Sequence, residues 1–83
     1  MPKSTHTDEY GRFRRLLVEA RKSAGFSQAE LANRLGKPQS YVSKFERGER
    51  RLDVVEFRRV ADAIGIDWSG LLHKLWAERG GLR

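Results

Sequence analysis

The chain has 83 residues, the length of one small domain, and its 17 Lys and Arg against 11 Asp and Glu give a formal net charge of +6. This excess of positive charge favours a polyanionic partner, with nucleic acid ahead of an anionic membrane surface. The chain has no cysteine for a disulfide or a thiolate metal site, and no window approaches the roughly 18 apolar residues that span a membrane, so we expect a cytoplasmic protein.

The apolar residues recur with a period near 3.6 and no segment alternates like a half-buried strand, which predicts helices alone. The first predicted helix covers residues 7–24 and ends at Gly25, which can adopt a left-handed stop. Asp8 and Glu9 lie in its first turn, where negative charge is favourable. Its apolar stripe consists of Phe13, Leu16, Leu17, Ala20 and Ala24.

The second predicted helix covers residues 28–35 and begins with a capping box, in which Ser27 and Glu30 each bind the other's backbone amide. Its inward-facing residues are Leu31, Ala32 and Leu35. Gly36 ends this helix, and only Gly36 and Lys37 separate it from the next.

The third predicted helix covers residues 38–47, with Pro38 at its start, where a missing N–H costs nothing, and Gly48 at its end. Only Val42 and Phe45 are clearly apolar. The opposite face carries Gln39, Ser40, Ser43, Lys44 and Arg47. Taken alone, this pattern is typical either of a solvated surface helix or of a helix whose outer face binds a polar ligand.

The fourth and fifth predicted helices cover residues 54–64 and 68–79, and each begins with an aspartate cap. Asp53 caps the fourth together with Glu56, and Asp67 caps the fifth. The apolar residues of the fourth helix are Val54, Phe57, Val60, Ala61 and Ile64, and those of the fifth are Trp68, Leu71, Leu72, Leu75 and Trp76.

The stripe of the fifth helix is wider than one face of a small domain needs. It fits either core packing alone or an interface, because exposed apolar stripes on small proteins mark interaction sites. We predict a homodimer interface formed by Trp68, Leu72, Leu75 and Trp76.

Five short helices joined by short turns predict an all-α bundle over residues 7–79. Residues 1–6 are expected to form a disordered arm and residues 80–83 a frayed tail. The remaining arginines are expected on solvated faces and in pairs spaced four residues apart; they are Arg12, Arg14, Arg15, Arg58 and Arg59. The two histidines are well separated, so no metal site is expected.

The short connection at Gly36 and Lys37 forces a steep crossing of the second and third helices, which is the geometry of a helix-turn-helix. In that arrangement the outer face of the third helix projects into a groove of DNA. A glutamine side chain can pair with the edge of adenine, and a lysine favours guanine. Gln28, at the positive end of the second helix, can meet a phosphate.

The segment SQAELANRLGKPQSYVSKFERGERR resembles the Cro and phage-repressor helix-turn-helix family, the XRE-like transcriptional regulators. The resemblance covers roughly residues 13–75. The residues that carry it are Arg21, Ser27, Gln28, Leu31, Ala32, Leu35, Gly36, Val42, Phe45, Glu46, Arg47 and Gly48.

This resemblance implies a five-helix, lambda-repressor-like domain that binds double-stranded DNA as a dimer at inverted-repeat operators and associates with the nucleoid through that binding. The implied base contacts come from Gln39, Ser40, Ser43 and Lys44, and the backbone contacts from Gln28, Arg47, Arg50 and Arg51. Gln28 would also brace Gln39, and Arg21 and Glu46 would form a structural ion pair.

The leading hypothesis is a small homodimeric repressor that needs no cofactor. The alternative is an antitoxin-type module of the same fold that binds a partner protein as well as DNA. An enzyme is disfavoured because the sequence has no cysteine, no glycine-rich phosphate loop and no paired acid and base.

Overall fold

The computed structural model describes residues 8–78, and every regular element in that range is a helix. In chain order the helices are α1 (Asp8–Ser23), α2 (Gln28–Leu35), α3 (Gln39–Arg47), α4 (Val54–Ile64) and α5 (Trp68–Glu78). The all-α prediction is therefore confirmed. The predicted arm and tail, residues 1–6 and 80–83, lie outside the described residues. None of these five helices is both long and apolar enough to cross a membrane.

Local chemistry fixes where three of the helices begin. At α2 the Ser27 hydroxyl accepts from the Glu30 amide at 3.0 Å, and the Glu30 carboxylate accepts from the Ser27 amide at 2.8 Å. Asp53 and Glu56 form the same reciprocal box at α4, at 2.8 and 3.0 Å. At α5 the Asp67 carboxylate accepts from the amide of Ser69 at 3.3 Å.

One hydrophobic core joins all five helices. Its most deeply buried large side chains are Leu17, Leu31, Val42, Phe45 and Val60, which come from α1, α2, α3 and α4. Helix α5 closes the core with Leu71 and Leu75. Helix α3 therefore rests on the core through its thin apolar side and leaves its other side outside.

Besides Trp68 and Trp76 of α5, two residues of the predicted stripes lie outside this core. Val54 is 76% exposed. It is the first residue of α4 and lies on the rim of a groove that Tyr10, Leu52 and Leu72 also line. Ala24 is exposed because α1 ends at Ser23, so the helical period no longer sets the direction of its side chain.

Candidate nucleic-acid interface

The turn between α2 and α3 holds the two helices in a helix-turn-helix. Gly36 has φ of +68°, a left-handed conformation that glycine adopts readily, and its amide donates to carbonyls of α2. Pro38 follows as the N-cap of α3 in an extended conformation, with no side-chain hydrogen bond to the helix. Gln39 and Ser40, the first two residues of α3, are exposed to solvent.

The outer face of α3 consists of Gln39, Ser40, Ser43, Lys44 and Arg47. All of these side chains are exposed except Ser43, which is half-buried. Val42, Phe45 and Glu46 are buried on the opposite side. The structure thus brings the four predicted base-contact residues together on one accessible surface of amide, hydroxyl and ammonium groups.

A buried ion pair fixes α3 to α1. The Glu46 carboxylate accepts from Arg21 Nε at 2.7 Å and from Arg21 Nη2 at 3.0 Å, and each of these residues is only 7% exposed. Arg21 Nη1 also donates to the carbonyl oxygen of Phe26 at 2.7 Å, which ties the pair to the α1–α2 turn. The structure therefore places the predicted ion pair of Arg21 and Glu46 in a closed, bidentate arrangement.

The same carboxylate begins a chain of hydrogen bonds that reaches the outer face. Gln28 Nε2 donates to Glu46 Oε1 at 2.9 Å, and Gln39 Nε2 donates to Gln28 Oε1 at 3.3 Å. An ionised carboxylate only accepts hydrogen bonds, so Gln28 must turn its NH₂ group inward and its carbonyl oxygen outward. Glu46 in this way sets the amide orientation of both glutamines.

Arg47 is held at the C-terminal end of the outer face by two neighbours. Its Nε and Nη2 donate to the Glu49 carboxylate at 2.9 and 3.0 Å, and its Nη1 donates to Ser43 Oγ at 3.0 Å. The hydrogen bond from Arg47 lowers the pKa of Glu49. Arg47 therefore carries its charge as part of an exposed ion pair.

The loop after α3 holds two predicted backbone contacts against tyrosine rings. The Arg50 guanidinium lies 4.8 Å from the ring centroid of Tyr41, and the Arg51 guanidinium lies 4.2 Å from that of Tyr10. Arg50 also pairs with Glu56 at 2.7 Å. This hydrogen bond, together with the Asp53 amide, lowers the pKa of Glu56 to about 2.

Two contacts of basic residues around α3 escaped the sequence analysis. The ammonium group of Lys37 lies 5.3 Å from the ring centroid of Tyr41 and adds an exposed positive charge beside the start of α3. Lys37 and Tyr41 are four residues apart, and this spacing is the feature of the sequence that could have indicated their contact. Arg14, expected on a solvated face, instead donates to the backbone carbonyl of Glu46. Its side chain packs against Gly48, because the α1–α3 contact draws it in.

Comparison with known proteins decides the family. A helix-turn-helix family model matches residues 17–71. A solved XRE-family like protein from Pseudomonas syringae pv. tomato str. DC3000 is 54% identical to this chain, covering 84% of it and 85% of that protein, with a TM-score of 0.81. This chain belongs to the XRE-type helix-turn-helix family.

These matches confirm the predicted family and fold. The family is one of DNA-binding transcription regulators. The clp gene regulator ClgR from C. glutamicum, 22% identical, shares the fold with a TM-score of 0.77 over 94% of this chain and 100% of that one. No curated protein sequence matches the chain significantly.

The XRE-type domain leaves apolar surface open along α5. Trp68 is 39% exposed, Trp76 is 48% exposed and Leu72 is half-buried. Arg58 covers one face of Trp68, with its guanidinium 5.7 Å from a ring centroid. Leu75, which we predicted at the interface, is instead only 6% exposed. It points into the core of its own chain, so it has little surface left for a partner.

The described part of this XRE-type domain, residues 8–78, contains no group of three or more His, Asp or Glu side chains that could hold a metal ion. His73 is exposed on α5, and its Nδ1 lies 3.3 Å from the carbonyl oxygen of Ser69.

Proposed function

We propose that this XRE-type protein is a homodimeric repressor that reads an inverted-repeat operator with the outer face of α3. The observation that carries the proposal is the hydrogen-bonded chain from Glu46 through Gln28 to Gln39. A solvated surface helix has no need to fix the orientation of an exposed amide. A helix that reads bases does, because the amide must present its donor and acceptor to the base edge.

The chain determines which groups Gln39 offers to DNA. One N–H of its Nε2 is bound to Gln28 Oε1, so the other N–H and the whole carbonyl oxygen remain. Adenine presents the complementary pair in the major groove, an N7 acceptor and an N6 donor. We therefore assign an adenine to the position facing Gln39. Gln28 keeps one N–H of its own for a backbone phosphate.

The other exposed groups of the outer face extend this reading along the groove. Lys44, one turn after Ser40, carries a positive charge suited to guanine O6 and N7. Ser40 is short and can donate or accept. Lys37 and Arg51 flank the face with positive charge suited to the phosphate backbone.

The dimer is proposed to form through a seam on α5 made of Trp68, Leu72 and Trp76. These residues follow one another at intervals of four and so lie along one side of the helix. The seam continues into the groove of about 400 Å³ that Leu72 and Val54 line. A two-fold axis along this seam would carry the two α3 helices toward successive major grooves, about 34 Å apart.

Selection of duplexes from a random library tests the proposal directly. The expected result is a two-fold symmetric sequence whose half-sites each contain an adenine and are separated by about one helical turn. Recovery of unrelated sequences, with no enrichment over the starting library, would remove sequence-specific reading from the function.

Replacement of Gln39 by alanine is expected to cost about 1–3 kcal/mol per half-site on the selected duplex and little on random duplex. The reason is that an amide reading a base contributes only where the correct base is present. Titration of both duplexes by fluorescence anisotropy measures the difference. Lys22→Ala, an exposed charge at the end of α1, is the matched control. Equal losses on both duplexes would exclude Gln39 from base reading.

A further inference from the structure

Arg47 and Glu49 form an ion pair at the end of the surface assigned to DNA. Both members are accessible, with side-chain exposures of 57% and 53%. Ser43 is bonded to the same arginine, since its hydroxyl oxygen accepts a hydrogen bond from Arg47. An arginine and a serine expected to meet DNA are therefore already bonded within the chain.

These hydrogen bonds occupy most of the N–H groups of the Arg47 side chain. A guanidinium has five N–H groups, and three of those on Arg47 are bound to Glu49 and Ser43. The two oxygens of Glu49 occupy its side edge in the way that two oxygens of a phosphate would. Glu49 thus takes the position of the anion that Arg47 would otherwise bind.

The charges reinforce this competition. The pair is neutral as a unit, so Arg47 adds little to the attraction between the outer face and a polyanion. An exposed pair of this kind is only weakly stabilising, so a phosphate can displace the carboxylate. The displaced carboxylate would then face the DNA backbone and repel it.

We propose that Glu49 is an intramolecular competitor of the DNA backbone for Arg47, and that it limits the affinity of this protein for any duplex. The inference rests on the proposed DNA-binding function. It assigns to Glu49 an effect on overall affinity and salt dependence, while the preference among sequences stays with Gln39 and Lys44.

The test is a double-mutant cycle with Glu49→Gln and Arg47→Ala, measured on the selected duplex and on a scrambled duplex of equal length. Glu49→Gln is expected to tighten binding to both by about two- to fivefold per chain. It should also steepen the slope of log K against log salt by up to about 0.9 per chain, since Arg47 would then neutralise a phosphate in every complex. In the Arg47→Ala background, Glu49→Gln should have a clearly smaller effect.

A matched control separates this mechanism from a general change of charge. Asp62→Asn breaks the pair of Arg58 and Asp62, which is similarly exposed at 57% and 60% but lies on α4, away from the outer face. It should change DNA affinity by less than Glu49→Gln does.

The outcomes are distinct. A gain from Glu49→Gln that persists in full without Arg47, or that Asp62→Asn matches, would overturn the proposal. So would weaker binding of Glu49→Gln to the selected duplex, because Glu49 would then be orienting Arg47 for a base. Absence of duplex binding by the unaltered protein would instead refute the proposed function, and this inference with it.

Discussion

Replacing Glu46 with alanine is expected to lower the free energy of unfolding by about 3–5 kcal/mol, the range for breaking a buried ion pair from one side. Arg21 would keep its charge at 7% exposure and lose both of its bonds to the carboxylate. Gln28 would lose the acceptor that fixes its orientation. Chemical denaturation at a fixed protein concentration measures the loss, since dimerisation would add to stability at higher concentration.

Glu49→Ala is the matched control for this experiment. It also removes one carboxylate from an arginine pair, but that pair is exposed, so the unfolding free energy should fall far less than it does for Glu46→Ala. A loss for Glu46→Ala as small as that of the control would mean that the pair of Arg21 and Glu46 does not hold α1 and α3 together.

Replacing Trp76 with glutamate is expected to convert the protein from a dimer into a folded monomer. Trp76 is 48% exposed in the single chain, so the substitution leaves the core intact while it places charge in the proposed seam. Aromatic side chains of this kind carry much of the binding energy at interface centres. Without the partner, the two half-sites are no longer bound together, and operator affinity should fall about 100-fold or more.

Sedimentation at tens of micromolar protein, followed by titration of the selected duplex, measures both effects. Ala77→Glu is the matched control, because it makes the same change of charge at the next position, on another side of α5. It should remain dimeric and bind the duplex as the unaltered protein does. A monomeric unaltered protein, or a dimeric Trp76→Glu variant, would contradict the proposed interface.

The sequence predicts those features that depend on neighbours along the chain. The capping boxes at α2 and α4 follow from residues three apart, and Gly36 ends α2 where its left-handed backbone is needed. The outer face of α3 follows from helical periodicity around Val42 and Phe45. The pair of Arg21 and Glu46, 25 positions apart, came from the family resemblance, because periodicity cannot indicate which distant charges meet.

The features that escaped prediction depend on how the helices pack. Leu75 and Trp76 are neighbours in one apolar stripe, and only the angle at which α5 meets the core decides that Leu75 is buried and Trp76 is exposed. In the sequence Arg14 cannot be distinguished from a surface charge, because its bond to the backbone of Glu46 depends on how α1 packs against α3. The bond between Arg47 and Glu49 requires the turn that Gly48 makes, with φ of +82°, which brings the two side chains together.

The bond between Gln28 and Gln39 has a consequence for changing which operator the protein recognises. A new side chain at position 39 that cannot donate a hydrogen bond would leave the outward carbonyl oxygen of Gln28 without its partner. On a fitted operator, where DNA covers this oxygen, the missing hydrogen bond would offset part of the gain from the new base contact. Redesign of recognition therefore has to treat positions 28 and 39 as a unit, and libraries that vary both together should yield altered specificities that single substitutions do not.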